Sequence, residues 1–343
     1  MIKIVPYEGV SDMKLSKGKS NCITDVSGVR VGHVTLFEKI NEQETVCTGV
    51  TAILPHGGNL YKEKVYTTAA VINGYGKTTG IVQLDELGLL ESPIMLTNTL
   101  SVGPVLQGTL TYMLDQNPDI GDQSDTINIV VGECNDGYLN SIRLQAVKPD
   151  HAIQAINNAT TAPTPEGAIG AGKGMVCFGY KGGIGTSSRI VTGDGESFTV
   201  GVLVLSNFGN REEALFAEFS DDKLETPDGS IMMVIATDAP LYDRQLKRLA
   251  KRCAAGLGRT GSHIAHGSGD IVIAFSTANR FWHDSNAVIE HISFVRDSHA
   301  IMNRLFQAVI EATEEAVIRS LQMAETTNGR KGRTVERAPL KND

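Results

Sequence analysis

The chain has no uninterrupted apolar stretch near the ~18 residues that a bilayer-spanning helix requires. Its opening, MIKIVPYEGVSDMKLSKGKSNC, holds no apolar run of the kind that directs export. Membrane insertion and secretion are therefore not expected, and the cytoplasm is the default compartment. Positive charge is also scarce. Lys and Arg total 31 against 39 acidic residues, a formal net charge of -8. Without a basic field the attraction that phosphate-rich partners require is missing, which argues against nucleic acid. The five cysteines (Cys22, Cys47, Cys134, Cys177, Cys253) are odd in number and never in CxxC spacing. That excludes a disulfide framework and a zinc knuckle, and leaves buried thiols. Proline is rare too, 11 residues beside 36 glycines.

What is present in excess is glycine, gathered in GAIGAGKG (167–174) and GYKGGIG (179–185). Such runs imply positive-φ backbone or close contact with a neighbour. Short β-branched segments recur: VRVGHVTL, TGVTAILP, INIVVGE, GMVCFGY, FTVGVLVL, IMMVIAT and DIVIAFS. Several alternate with the period of a half-buried strand. Between them the spacing predicts helices over 103–116, 138–147, 240–256 and 298–324. Asp238 is placed to cap the third of these, with Pro240 in its first turn and Gly256 near its end. The elements do not alternate as in a doubly wound sheet. An α+β fold with two largely antiparallel sheets faced by helices is expected. No linker divides the 343 residues, so one domain is expected. The most polar interior stretch, Glu212 to Gly229, reads as an exposed loop. The tail from Thr326 is polar and is expected to pack loosely.

Four segments could carry chemistry. Ser230 follows Gly229 at the end of the acidic loop and opens a strand. A serine hydroxyl is a weak nucleophile unless a base takes its proton. One solution makes the serine the first residue of a chain, so that its own α-amine, titrating near ~7.7–8.0, serves as base. Glycine before the serine suits such a cut, since a side chain would obstruct attack on the preceding carbonyl. Ser268 and Asp270, in GSGDIVIAFSTAN, stand two apart at the head of a strand and point to one side. They could hold an amine at Ser230 if the strands are neighbours, or simply form a turn pair. Asn207 ends the strand GVLVLSN, where its amide could serve an oxyanion or the turn. Tyr138, in GECNDGYLN, could donate its phenol to a substrate or cover a core edge.

These segments, in this order, resemble the aminopeptidase family typified by L-aminopeptidase/D-amidase/esterase and the β-peptidyl aminopeptidases, peptidase family S58. The likeness also takes in NCITDVSGVRVGHVTL, KVYTTAAVINGYGKTTG, LDELGLLESPIMLTNTLSVG and GAIGAGKGMVCFGYKGGIGTSSR, and runs from about residue 20 to the tail. It implies an αββα sandwich similar to N-terminal-nucleophile hydrolases but with a different connectivity. It implies self-cleavage at Gly229-Ser230 into a large subunit, 1–229, and a small one, 230–343. The two stay associated and assemble into higher homo-oligomers. Ser230 would be the nucleophile, Asn207 the oxyanion amide and Tyr138 its helper. Ser268 and Asp270 would orient the serine and its amine; the family's acid here is Glu, and this chain has the shorter Asp. The implied activity releases an N-terminal residue from short peptides, amides or esters through an acyl-enzyme, with no cofactor.

Other features of the sequence support rival readings. GAIGAGKG approaches a phosphate loop but ends in Gly174 where Ser or Thr should meet magnesium. It defines the alternative of a nucleotide-binding protein. His263, His266 and Asp270 are spaced too loosely to define a metal site. An inactive scaffold of the same fold is the third reading.

Overall fold

The structure, a computed structural model, describes residues 15–216 and 229–339. In chain order it contains β1 (Arg30–Lys39), β2 (Thr45–Leu54), β3 (Glu63–Gly74), α1 (Ile81–Leu87), β4 (Leu89–Leu90), β5 (Ile94–Asn98) and α2 (Val102–Gln116). Then come β6 (Val130–Cys134), α3 (Pro149–Asn157), β7 (Val176–Cys177), β8 (Tyr180–Lys181), β9 (Gly183–Gly193) and β10 (Glu196–Asn207). β11 (Ser230–Thr237), α4 (Asp243–Ala250), α5 (Cys253–Thr260), β12 (Gly269–Trp282) and α6 (Ile301–Gln322) follow, and a small pair, β13 (Thr327–Asn328) with β14 (Thr334–Val335), closes the chain.

Two sheets form. One has the order β1-β2-β5-β6, the other β4-β3-β12-β11-β10-β9. Both are mostly antiparallel, with β5–β6 and β11–β12 as the parallel pairs. The sequence of β11 explains the layering. Met232, Val234 and Ala236 enter a core shared with Ile53, Ile94, Leu96 and Val130 of the smaller sheet. Ile231, Met233 and Ile235 point the other way, into a core with Leu246, Leu257, Leu305 and Val309 of α4, α5 and α6. Because both faces are covered, the run is continuously apolar, and each such side chain contributes roughly 1.5–3 kcal/mol on burial. The outer face of the smaller sheet, through Val50, Ala52, Met95 and Val131, packs on α2 and α3. The result is an αββα sandwich. Close approach of the layers depends on small residues: a Cβ at Gly185 of β9 would stand 1.9 Å from the carbonyl oxygen of Ala316 in α6.

One buried charge cluster fastens α6 to its sheet. Arg189 of β9 has no exposed side-chain surface. It meets Glu311 at 3.2 Å and Glu315 at 2.7 Å, and donates to Ser187 Oγ and the Ser188 carbonyl, both at 2.8 Å. Burial alone would raise the Glu315 pKa, but Lys17 at 2.6 Å and Arg189 hold it at about 2. Every charge in this cluster has a partner of opposite sign.

Several expectations need correction. The segment 138–147 is not an α-helix; it holds only a 3₁₀ turn at Ile142–Leu144, ending at Gln145 with φ 48°. Its side chains serve β2 instead, Asn140 Oδ1 accepting from Cys47 N at 3.0 Å and Ser141 Oγ from Thr45 N at 3.0 Å. The helix expected over 240–256 breaks into α4 and α5. Asp238 caps neither, because its carboxylate accepts from Thr199 N at 2.6 Å and ties β11 to β10. GMVCFGY forms only the hairpin β7–β8, turning at Phe178 and Gly179 with φ of 50° and 66°. The tail is not loose: Thr327 and Val335 are buried, and Glu336 O accepts from Lys181 N at 2.8 Å. Most of the acidic loop, residues 217–228, lies outside the described residues. The five cysteines are free and buried, and no helix among the described residues is long and apolar enough to cross a membrane.

Candidate active site

Three strand ends meet at Ser230. Asn207, the last residue of β10, pairs with it across the antiparallel ladder, and Gly269, the first residue of β12, pairs with it across the parallel one. The alternation of β11 sends the Ser230 side chain to the same face as Met232, between the two sheets. There its Oγ accepts from Gly269 N at 3.2 Å, in a setting that leaves the residue 7% exposed. The approach of the chain is crowded. A Cβ at Gly229 would sit 1.8 Å from the Asn207 carbonyl oxygen, and one at Gly269 would sit 2.5 Å from that of Tyr75 and 3.1 Å from Ser230 Oγ. Only glycine fits either position.

The Asn207 amide is held at both ends. Its Oδ1 accepts from Val176 N at 2.9 Å and its Nδ2 donates to Asn135 O at 3.0 Å. These partners fix which end is nitrogen, since an amide N–H and a carbonyl cannot exchange roles. The second Nδ2 hydrogen has no acceptor among the described residues.

Ser268 lies in the loop before β12 and Asp270 is its second residue, so the two flank the Gly269 that pairs with Ser230. Ser268 Oγ donates to Asp270 Oδ1 at 3.0 Å, while the buried Asp270 Oδ2 has no partner among the described residues. Burial pushes the Asp270 pKa up to about 6, and the Ser268 hydroxyl offsets part of that rise. A register shift in the β12–β3 ladder falls between Asp270 and Ile271. Opposite it, Asn73 Nδ2 donates to the carbonyls of Ala265 (3.1 Å), His266 (3.1 Å) and Ser268 (2.5 Å), which sets the loop entering β12. No hydrogen bond joins Asp270 to Ser230.

Tyr138 stands further out. Its ring lies under the Arg333 guanidinium at 4.4 Å and packs with Cys47, Leu139, Val176 and Val335. Its phenol makes no hydrogen bond to Ser230 or Asn207, and its ring packs with Val176, whose N–H holds the Asn207 amide.

One carboxylate was missed. Glu133, buried on β6 across the gap between the sheets, accepts from Lys77 N at 2.8 Å and from Thr99 Oγ1. A Cβ at Gly76 would lie 3.6 Å from Glu133 Oε1 and 3.9 Å from Gly269 Cα, which places this carboxylate near the strand ends that meet at Ser230. The available signal was an acidic residue ending the apolar run INIVVGE.

The rival features resolve differently. In the 167–174 loop the amides of Gly167, Gly170, Ala171 and Gly172 donate to Ile184 O, Thr35 Oγ1, Thr51 Oγ1 and Ile169 O. A phosphate cradle needs such groups free, so the nucleotide alternative is not supported. His263 turns to Glu213 at 3.5 Å, and no cluster of metal-ligating side chains occurs among the described residues.

Comparisons agree with this geometry. The model of peptidase family S58 matches residues 21–335. The β-peptidyl aminopeptidase BapA of Sphingosinicella microcystinivorans is 40% identical, over 98% of this chain and 88% of that one. A solved protein of Pyrococcus horikoshii OT3 superposes with a TM-score of 0.88 at 50% identity, over 95% of this chain and 93% of that one. The L-aminopeptidase D-Ala-esterase/amidase of Ochrobactrum anthropi, described as a prototype for the serine aminopeptidases and a new variant of the Ntn hydrolase fold, gives 0.84 at 35% identity, over 96% and 92%. Fold and site thus define a hydrolase of the N-terminal-nucleophile type. The chain belongs to peptidase family S58, and it is a serine aminopeptidase.

Proposed function

We propose that this chain cuts itself between Gly229 and Ser230 and then uses the new amino-terminal serine to remove N-terminal residues from short peptides, aminoacyl amides or esters. The observation that supports this most is the meeting of Ser230, Asn207 and Gly269 at three strand ends, with glycine alone tolerated before the serine. In maturation Ser230 Oγ attacks the Gly229 carbonyl carbon, the C–N bond breaks, and water hydrolyses the resulting ester. The freed α-amine is the base for catalysis.

In turnover the amine takes the proton of Ser230 Oγ as the oxygen attacks the substrate carbonyl. The oxyanion accepts the spare Nδ2 hydrogen of Asn207, a fixed dipole that needs no reorganisation. The ammonium then gives its proton to the departing amine or alcohol. Water, deprotonated by the same amine, releases the acyl group. Asp270 Oδ2 is the acceptor for the new ammonium, with Ser268 holding the carboxylate by its other oxygen. Glu133 receives the substrate's own ammonium. Tyr138 supports Asn207 through Val176 rather than by contact with the oxyanion. The two pieces remain together, further copies assemble into a homo-oligomer, and the enzyme works in the cytoplasm without a cofactor.

A denaturing gel with intact-mass measurement tests this directly. Purified protein should run as pieces of residues 1–229 and 230–343, and Ser230→Ala should leave one inert band. A wild-type chain that stays whole yet hydrolyses aminoacyl amides would sink the proposal.

A further inference from the structure

Lys181 is the most deeply buried lysine among the described residues, with no exposed surface. Its Nζ donates to the carbonyl oxygens of Gly172 (2.9 Å), Met175 (2.8 Å) and Gly182 (2.6 Å). Three acceptors match the three hydrogens of an ammonium, and a neutral amine would leave one carbonyl unsatisfied. Burial pushes its pKa down to about 7; Cys47, Cys177 and Asp136 act against that shift, and Lys173 adds to it.

The Met175 carbonyl and the Val176 N–H belong to one peptide group. Its oxygen accepts from Lys181, and its nitrogen donates at 2.9 Å to Asn207 Oδ1. A positive charge on the oxygen side of a peptide withdraws electron density and strengthens donation by its N–H. Polarisation passes along such chains, most effectively where water is absent. The line therefore runs from Lys181 Nζ, through the 175–176 peptide and Asn207 Oδ1, to the Nδ2 group of the residue that pairs with Ser230.

We infer that Lys181 is a positioning residue for the oxyanion site, acting through the 175–176 peptide to fix and polarise the side-chain amide of Asn207. This rests on the reading of Asn207 as oxyanion donor given above. Lys181 touches no substrate. Its effect belongs to the step in which charge develops, so its loss should lower kcat and leave KM nearly unchanged.

The experiment is a double-mutant cycle on processed enzyme, with turnover expressed per mole of cut chain. Lys181→Met should lower kcat roughly tenfold, a part of what losing an oxyanion donor costs, with KM within about twofold. In an Asn207→Ala background the same substitution should change kcat by a factor near one, since its route of action is gone. Equal losses in both backgrounds would overturn the inference and make Lys181 a merely structural residue. A second readout needs no substrate: in protein labelled with ¹⁵N-asparagine, the Asn207 Nδ2 proton resonances should move upfield in Lys181→Met. Unmoved resonances would also overturn it. Should Lys181→Met fail to fold, Val176→Pro, which deletes the N–H that Asn207 accepts, carries the same kinetic prediction. If Asn207→Ala itself leaves kcat intact, the oxyanion reading fails, while the resonance shift still decides whether Lys181 acts on that amide.

Discussion

Two regions of this molecule bury charge, and they do so in opposite ways. Around Arg189 both carboxylates and the guanidinium find partners of opposite sign, and Lys17 completes the set at the surface. On the side of Ser230 the accounting is left open: among the described residues the buried Asp270 Oδ2 has no hydrogen-bond partner, and Lys181, behind Asn207, is satisfied by carbonyls rather than by a carboxylate. The first cluster lowers a pKa, to about 2 at Glu315, and the second raises one, to about 6 at Asp270. Paired burial fixes α6 on its sheet; on the proposed function, unpaired burial holds a carboxylate for an ammonium that arrives later, that of a cut chain or of a substrate.

Substitutions should separate the two regions cleanly. The largest effect on turnover short of removing Ser230 is expected from Asn207→Ala, a fall in kcat of roughly a hundred- to a thousandfold in steady-state assays of processed enzyme. It should also cost about 1–3 kcal/mol of stability, because Val176 N and Asn135 O lose their partners. Arg189→Met should act the other way round. Removing the buried guanidinium that Glu311 and Glu315 share should cost about 3–5 kcal/mol in urea melts, with kcat per folded molecule unchanged.

Asp270→Asn gives an intermediate effect with a defined sign. In the uncut Ser230→Ala background the folded carboxyl titrates near 6 and the unfolded one near 3.8. The folded state therefore binds more protons between these values, and stability falls as pH rises through that window. Asp270→Asn should raise urea-melt stability by about 2 kcal/mol at pH 8 and by little at pH 4. A stability gain independent of pH would refute the assigned titration. Smallest of all, Lys39→Ala should change stability by at most about 0.5 kcal/mol, since Lys39 and Glu42 are 61% and 88% exposed.

The legible parts of the sequence were those where one short segment carries the whole signal. IMMVIAT and FTVGVLVL are apolar throughout because both faces of their sheet are covered, and each formed its strand. Ser230, Asn207, Ser268 and Asp270 were placed at strand ends and were brought together by register. β3 and β9 were not anticipated as strands, since KVYTTAAVING and GIGTSSRIVTG are built of small and hydroxylated residues that close packing demands and propensity undervalues. The helix expected over 138–147 failed for a related reason. A turn whose Asn140 and Ser141 bond the backbone of a distant strand has the local composition of a helix start, and only the tertiary partner decides between them. Glu133 escaped notice because its nearness to Ser230 arises from one sheet lying over another, a relation that no spacing along the chain encodes.

The strand order β4-β3-β12-β11-β10-β9 has a mechanical consequence. Everything before residue 229 supplies β3 and β4 on one flank and β9 and β10 on the other, while β11 and β12 fill the space between. A break at Gly229 would leave the later fragment inserted as a two-strand wedge, zipped on both edges to the earlier one. Parting the pieces would require unzipping two ladders and stripping α6 from its bed at once, so scission would alter the ends of the chain and spare its architecture.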